Sequence, residues 1–294
     1  MIIINLKGGL GNQMFQYAAG RALSLRQQEK TEKKIELKLD ISGYSENNGI
    51  DTARHYALDV FKINVEVASQ EEIRKLKYPY GIISKGLRFL KTKILRRFNI
   101  GFISGIYNAK KSIYLDGFFQ TEKYFIDKEE DIRSAFELSK PFGSKALEIQ
   151  QRIISAPNSV SLHVRRGDYV KDTKTNKHHG TCDAEYYKIA LDQIRSKISK
   201  DISIFVFSDD VEWVRDNMPI THPTTYVSSP EIKDYEELIL MSSCEHNIIA
   251  NSSFSWWGAW LNQNKNKIVM APREWVRTGK SELRDICPTS WIRI

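Results

Sequence analysis

Two adjacent arginines in the segment His163-Val164-Arg165-Arg166-Gly167-Asp168 carry the clearest chemistry of this chain. A guanidinium group binds phosphate through two parallel charge-assisted hydrogen bonds. The apolar run Val160-Ser161-Leu162 before them reads as a buried strand. Arg165 and Arg166 would then form a cationic fork at a strand's carboxyl end, where ligands sit in open α/β sheets. A pair of surface arginines in solvent-exposed ion pairs is the plain alternative. His163 reads either as a ligand contact sharing a strand face with Arg165 or as a core histidine bonded to backbone. Asp168 reads as a residue that orients an arginine or caps a turn.

Three further segments bear on the same chemistry. Gly8-Gly9-Leu10-Gly11-Asn12-Gln13 follows an apolar run and precedes a helix. Glycines such as Gly9 and Gly11 allow positive φ and close backbone approach to a ligand, and Asn12 stands where an N-cap is expected. Ile248-Ile249-Ala250 reads as a strand leading into Asn251-Ser252-Ser253. Ser252 and Ser253 would open a helix, where free N–H groups, hydroxyls and the helix dipole favour an anion. Trp256 and Trp260 fall at i, i+4 and are expected between helix and sheet. Asp209-Asp210 follows the strand Ile204–Ser208; Asp209 and Glu212 fit a capping box. The alternatives are recognition of a guanine edge or, with Glu212, a metal site. No carboxylate array has convincing metal-ligand spacing, so no metal and no cofactor are expected.

The elements that must hold these residues alternate along the chain. Ile2–Leu6 and Ile35–Leu39 read as strands around a helix over 13–28. Ser69–Leu76 opens on the box Ser69/Glu72. Lys85–Phe98 is basic and amphipathic, with Leu87, Leu90, Ile94 and Phe98 on one stripe. Asp116-Gly117-Phe118-Phe119-Gln120 reads as an aromatic turn and Pro141–Ser144 as a linker. Beyond Ser159, strands at 160–164, 202–207, 225–227, 246–250 and 268–271 alternate with helices at 183–198, 209–217, 234–243 and 253–262. Such β-α repetition implies parallel sheets. The expected class is α/β: two Rossmann-like domains facing a cleft, with residues 1–145 in the first and 146–294 in the second.

The bulk numbers narrow the partners. The 294 residues are 41% apolar and 27% charged, which excludes a disordered chain. A net charge of +8 suits nucleic acid, an anionic membrane or a polyanionic small substrate. No nucleic-acid-binding signature is present. Cys182, Cys244 and Cys287 are odd in number and lack any C-x-x-C pairing, which fits a reducing compartment. Neither a signal peptide nor a 20-residue apolar span is read. The expectation is a cytoplasmic protein, with peripheral contact to an anionic membrane through residues 85–98.

In their order, Gly8–Ala18, His163–Asp168 and Asn251–Trp257 resemble the bacterial α-1,2-fucosyltransferases of glycosyltransferase family 11. The resemblance runs from Ile2 to Pro272-Arg273-Glu274-Trp275 and leaves 41–116 unassigned. It implies a variant of the GT-B fold and inverting, metal-independent transfer of L-fucose from GDP-β-L-fucose. The implied acceptor is the 2-hydroxyl of a terminal galactose, on an oligosaccharide or a lipid-linked glycan of bacterial surface-polysaccharide synthesis. The first domain would take the acceptor and the second the GDP-fucose. Arg165, Arg166 and Asn12 become the expected catalytic groups. His163, Asp168, Asp209, Asp210, Ser252, Ser253, Gly9 and Gly11 become donor contacts. His179, Asp183 and Asp168 are the candidates for a base. Fucosyl transfer of another linkage, a lectin-like glycan binder and a basic membrane adaptor built on 85–98 are the competing readings.

Overall fold

A computed structural model describes residues 1–44, 55–78, 101–109, 112–167, 180–198, 201–276 and 285–294. Asp168, His179 and the basic segment 85–98 lie outside the described residues. The chain divides into two compact units: Met1–Lys140 with Ser281–Ile286, and Pro141–Lys280 with Cys287–Ile294.

The first unit opens on β1, Ile2–Asn5, whose three isoleucines are fully buried. A run apolar on both faces is what a central parallel strand requires. The next element, α1, spans Leu10–Thr31, three residues longer at each end than the sequence suggests. Its N-cap is Gly9, not Asn12, and no side chain caps it. The reason is Gly8: its φ of +81° turns the chain so sharply that the helix begins at once. Asn12 therefore sits in the first turn, its N–H bonded to the Gly9 carbonyl at 3.0 Å. There follow β2 (Leu37–Asp40), β3 (Glu66–Val67), α2 (Gln70–Lys77), α3 (Ser104–Tyr107), β4 (Ile113–Leu115) and α4 (Glu129–Ala135). The Ser69/Glu72 box forms as read and fixes the start of α2. The sheet is parallel, in the order β3-β2-β1-β4.

The second unit begins where a linker was expected. The Gly143 amide donates to the Glu236 carboxylate at 2.7 Å, and α5 starts at Ser144 and runs to Ser155. The division falls at Lys140/Pro141, beside the expected 145/146. After α5 come β5 (Ser159–Val164), α6 (Ala184–Ile198), β6 (Ser203–Ser208), α7 (Val211–Asn217) and β7 (Thr224–Tyr226). Then follow α8 (Asp234–Ser243), β8 (His246–Ile248), α9 (Ser253–Leu261), β9 (Val269–Ala271) and β10 (Ile292–Arg293). The six strands are parallel, in the order β10-β9-β8-β5-β6-β7.

Alternation along the strands builds a core on each face of this sheet. Val160, Leu162 and Val164 pack with Tyr187, Ala190 and Ile194 of α6. Phe205 and Phe207 of β6 pack with Ile149 of α5 and Leu240 and Met241 of α8. Trp256, Trp257 and Trp260 of α9 are buried, with the rings of Trp256 and Trp260 stacked 6.2 Å apart. These tryptophans are core, as their spacing suggests. Among the described residues no helix is long and apolar enough to cross a membrane.

Both strand orders reverse direction once. In the first unit the chain leaves β1 toward β2 and β3, then returns to place β4 on the other side of β1. In the second it leaves β5 toward β6 and β7, then returns to place β8 on the other side of β5. Such a switch point opens a crevice at the carboxyl ends of the two diverging strands. The loops after β1 and β4, and after β5 and β8, are the segments the sequence marks.

Candidate active site

The arginine fork forms in the second unit and is built by its neighbour strand. Val164 pairs with Ser208, so the loop after β6 emerges beside the loop after β5. Asp209 grips both arginines there. Its Oδ2 lies 2.9 Å from Arg165 Nη1, and its Oδ1 accepts the Arg166 amide at 2.8 Å. Arg166 Nε reaches Asp210 Oδ2 at 3.3 Å, and its guanidinium lies 3.5 Å from the Trp213 ring centroid. About three-quarters of the Arg165 and Asp209 side chains are buried. Each such charge-assisted bond is worth roughly 1.5–3 kcal/mol.

This network changes the expected roles of the two aspartates. Asp210, not Asp209, caps the following helix, with Oδ1 accepting from the Trp213 amide at 3.3 Å. The cap slips by one residue because Asp209 is held by Arg165. Glu212, expected as its box partner, pairs with Arg215 instead. Asp209 and Asp210 both brace the fork, and the Asp210 side chain stays 41% exposed.

The helix start read at Ser252 is present. Ser252 is the N-cap of α9 and accepts from the Phe254 amide at 3.3 Å, and Ser253 is the first helical residue. Leu162 pairs with Ile248; three residues further, that register sets Arg165 level with Asn251, beside this helix start. The fork and the positive end of α9 therefore share the β5/β8 switch point. Asn251 is buried and holds the loop by donating to the carbonyls of Gly180 and Trp275, each at 3.2 Å.

His163 belongs to this edge in an unexpected way. β5 ends at Val164, so Arg165 lies past the strand and does not share its face. His163 instead points toward α9, its ring centroid 5.8 Å from that of Phe254. Burial, and then the charge of Arg165, push its pKa down to about 3, so the imidazole is neutral. Its Nδ1 has no partner among the described residues.

Asp183 lies just before α6, where Oδ1 accepts the Tyr186 amide at 2.8 Å. It shares a cavity of about 230 Å³ with Cys182, Tyr186, Asn251 and Glu274. Burial pushes the Cys182 thiol up to about 11, so it is no nucleophile. One carboxyl escaped the sequence reading. Burial, then Asp234 and Asp209, raise Glu237 to about 7 against the pull of a hydrogen bond from Ser228. Ser228 in turn takes the Ser208 amide at 2.9 Å, so Glu237 sits at the same sheet edge. The Asp234–Ser243 helix was legible, but which of its acids faces the sheet was not.

In the first unit the glycine turn is stapled from within. Gln13 is fully buried; its Nε2 donates to the Gly8 and His55 carbonyls and its Oε1 accepts the Ala57 amide. Gln16 exchanges two bonds with the Lys7 backbone. A Cβ on Gly8 would lie 2.6 Å from Asn12 Nδ2. The required positive φ is thus at Gly8, while Gly9 is extended and Gly11 helical. The β1/β4 switch point brings the aromatic turn alongside: Gln120 donates to Asn12 Oδ1 at 2.7 Å, and Lys7 donates to Asp116 Oδ1 at 2.9 Å. The structure therefore joins Asn12 with Gln120, Lys7 with Asp116, and Arg165 and Arg166 with Asp209 and Asp210.

Two parallel sheets, each with one switch point, define a doubly wound α/β architecture, and the comparisons narrow it. The model of glycosyl transferase family 11 matches residues 1–294, and the chain belongs to that family. It is 34% identical to an Escherichia coli α-1,2-colitosyltransferase, over all of this chain and 99% of the relative. It is 33% identical to the O-antigen biosynthesis glycosyltransferase WbnK of Escherichia coli, over 98% of this chain and 99% of the relative. A solved NodZ α-1,6-fucosyltransferase soaked with GDP-fucose shares the fold, with a TM-score of 0.52 at 14% identity. That alignment covers 88% of this chain and 91% of NodZ. The protein is a glycosyltransferase of the GT-B-like fucosyltransferase architecture.

Proposed function

We propose that the chain transfers L-fucose from GDP-β-L-fucose to the 2-hydroxyl of a terminal galactose, inverting the anomeric centre and using no metal. The observation that carries this reading is the Asp209-braced fork beside the α9 start. Cleaving a glycosyl–phosphate bond leaves negative charge on the β-phosphate. Arg165, Arg166 and the Ser252–Ser253 N–H groups are donors set in place before that charge develops, which is often the largest catalytic term. The sugar departs through an oxocarbenium-like state, and the acceptor hydroxyl attacks from the opposite face and loses its proton. Asn12, fixed by Gln120, is assigned to holding a substrate hydroxyl or the leaving phosphate. Asp183, His179 and Asp168 remain the candidates for the base.

Asp209 or Asp210 reads the guanine edge, and Glu237, at the same sheet edge, joins them as a candidate. Glu237 is raised by burial despite the Ser228 bond, and guanine's Watson–Crick edge supplies two adjacent N–H groups. The first unit takes the acceptor glycan, the second the nucleotide sugar. The work is cytoplasmic, at the face of the membrane where lipid-linked glycans are built, with 85–98 as the contact.

A second donor has its own support, because the relative at 34% identity is a colitosyltransferase. Colitose is fucose without its 3-hydroxyl, so the same fork would serve it. Incubation with GDP-fucose or GDP-colitose and a panel of galactosides, read by mass spectrometry and linkage analysis, tests both. Transfer of fucose to the galactose 2-hydroxyl is expected. Transfer of colitose alone moves the assignment to that donor, and absence of any transfer with either removes it.

A further inference from the structure

We propose that the first unit carries a binding site for a small oxyanion, a phosphoryl or carboxylate group, in a cavity along the second half of α1. Arg26 is its fork and Lys30 its second charge. Leu23, Arg26, Gln27 and Lys30 fall at i, i+3, i+4 and i+7, one stripe of the helix. With Thr31, Tyr107 and Ala109 they line a cavity of about 260 Å³. Arg26 stands 16 residues beyond Leu10, so roughly 24 Å of helix separates it from the glycine turn. The cavity is thus remote from the Asn12–Gln120 pair, and its described lining residues all belong to the first unit.

The observation that carries the proposal is the state of Arg26. Its side chain is 7% exposed. Nη1 alone is engaged, donating at 2.9 Å to both the Tyr124 carbonyl and Asp127 Oδ1. Nε and Nη2 are buried with no partner among the described residues. Those two nitrogens form the side-on edge of the guanidinium, the edge that binds a carboxylate or phosphate bidentately. Tyr107 lies against the guanidinium at 3.9 Å, but a ring face offers no lone pair to that edge. Arginine cannot shed its proton, and buried polar groups of native proteins are hydrogen-bonded, so an orphaned pair calls for a ligand. The charges agree: Asp127 offsets one cation, Lys30 adds another, and no acid is among the described lining residues.

Thermal unfolding with inorganic phosphate and pyrophosphate at constant ionic strength tests this, since a ligand of the folded state raises Tm with its concentration. Wild type should show a saturable rise. Arg165→Ala should keep it, which separates this cavity from the proposed nucleotide site. Lys30→Gln, a change at an exposed position, should weaken the apparent affinity about tenfold, and Arg26→Lys should abolish it. Phosphatidylglycerol vesicles distinguish the source: co-sedimentation lowered by Lys30→Gln, without a phosphate response, identifies a lipid headgroup. A phosphate response lost in Arg165→Ala but kept in Lys30→Gln overturns the proposal. So does the absence of any phosphate response together with equal sedimentation of wild type and Lys30→Gln.

Discussion

Gly167→Ala is the sharpest perturbation of the fork, because it adds a methyl group and changes no charge. A Cβ at Gly167 would lie 2.5 Å from Asp209 Oδ2 and 3.0 Å from its Cγ. Gly167 has no positive φ, so alanine meets no backbone strain there, and the effect is the collision alone. Asp209 must move, yet its two oxygens hold Arg165 Nη1 at 2.9 Å and the Arg166 amide at 2.8 Å. Displacement forfeits at least one partly buried charge-assisted bond, about 1.5–3 kcal/mol. If the fork must be in place for the transition state, turnover falls roughly 10- to 150-fold, since 1.4 kcal/mol is tenfold. Steady-state transfer and GDP calorimetry on wild type, Gly167→Ala, Asp209→Ala and the double variant form a double-mutant cycle. Because the alanine acts by pushing Asp209, it should cost little once Asp209 is gone, giving strong non-additivity. Additive losses would refute the reasoning, since the glycine would then matter for something other than Asp209.

Three other outcomes follow from the same geometry. Arg165→Ala should lower transfer by roughly 10²-fold or more, and Arg165→Lys should restore little, because an ammonium cannot bind bidentately; near-normal rates for the lysine variant would remove the fork's role. Activity should persist in excess EDTA, and its loss with recovery in Mg²⁺ or Mn²⁺ would reinstate a metal. GDP should bind at least tenfold tighter than ADP, and Glu237→Gln should narrow that gap, whereas an unchanged preference would return base reading to another residue. The same variant has a pH signature. The fold raises the Glu237 pKa to about 7, so it favours the protonated form. Wild-type stability should therefore fall as pH rises from the ordinary carboxylate range to about 7 and level off above it, and that slope should flatten in Glu237→Gln when Tm is followed against pH.

The elements of this protein were largely written in local patterns. The Ser69/Glu72 box, the Asp234–Ser243 helix and the strand-then-serine order at Ile248–Ser253 each rest on residues a few positions apart. Their hydrogen bonds and apolar stripes close within one or two turns, so composition and spacing suffice. The chemistry of the fork was legible for the same reason, because Arg165 and Arg166 are adjacent. Its bracing was not. Asp209 looked like a helix cap or a base reader, since nothing local to it reveals that β6 lies beside β5. The start of α1 was misplaced because a glycine at φ +81° leaves no mark in periodicity. His163 could be assigned to a strand, but its neutral state comes from burial against α9, some 90 residues away. Above all, the two switch points exist only in the strand orders β3-β2-β1-β4 and β10-β9-β8-β5-β6-β7. Which strand returns to which edge is set by burying whole helix faces at once. Sequence therefore determined which cationic groups stand at the strand end, and only tertiary packing decided which carboxylate holds them in place.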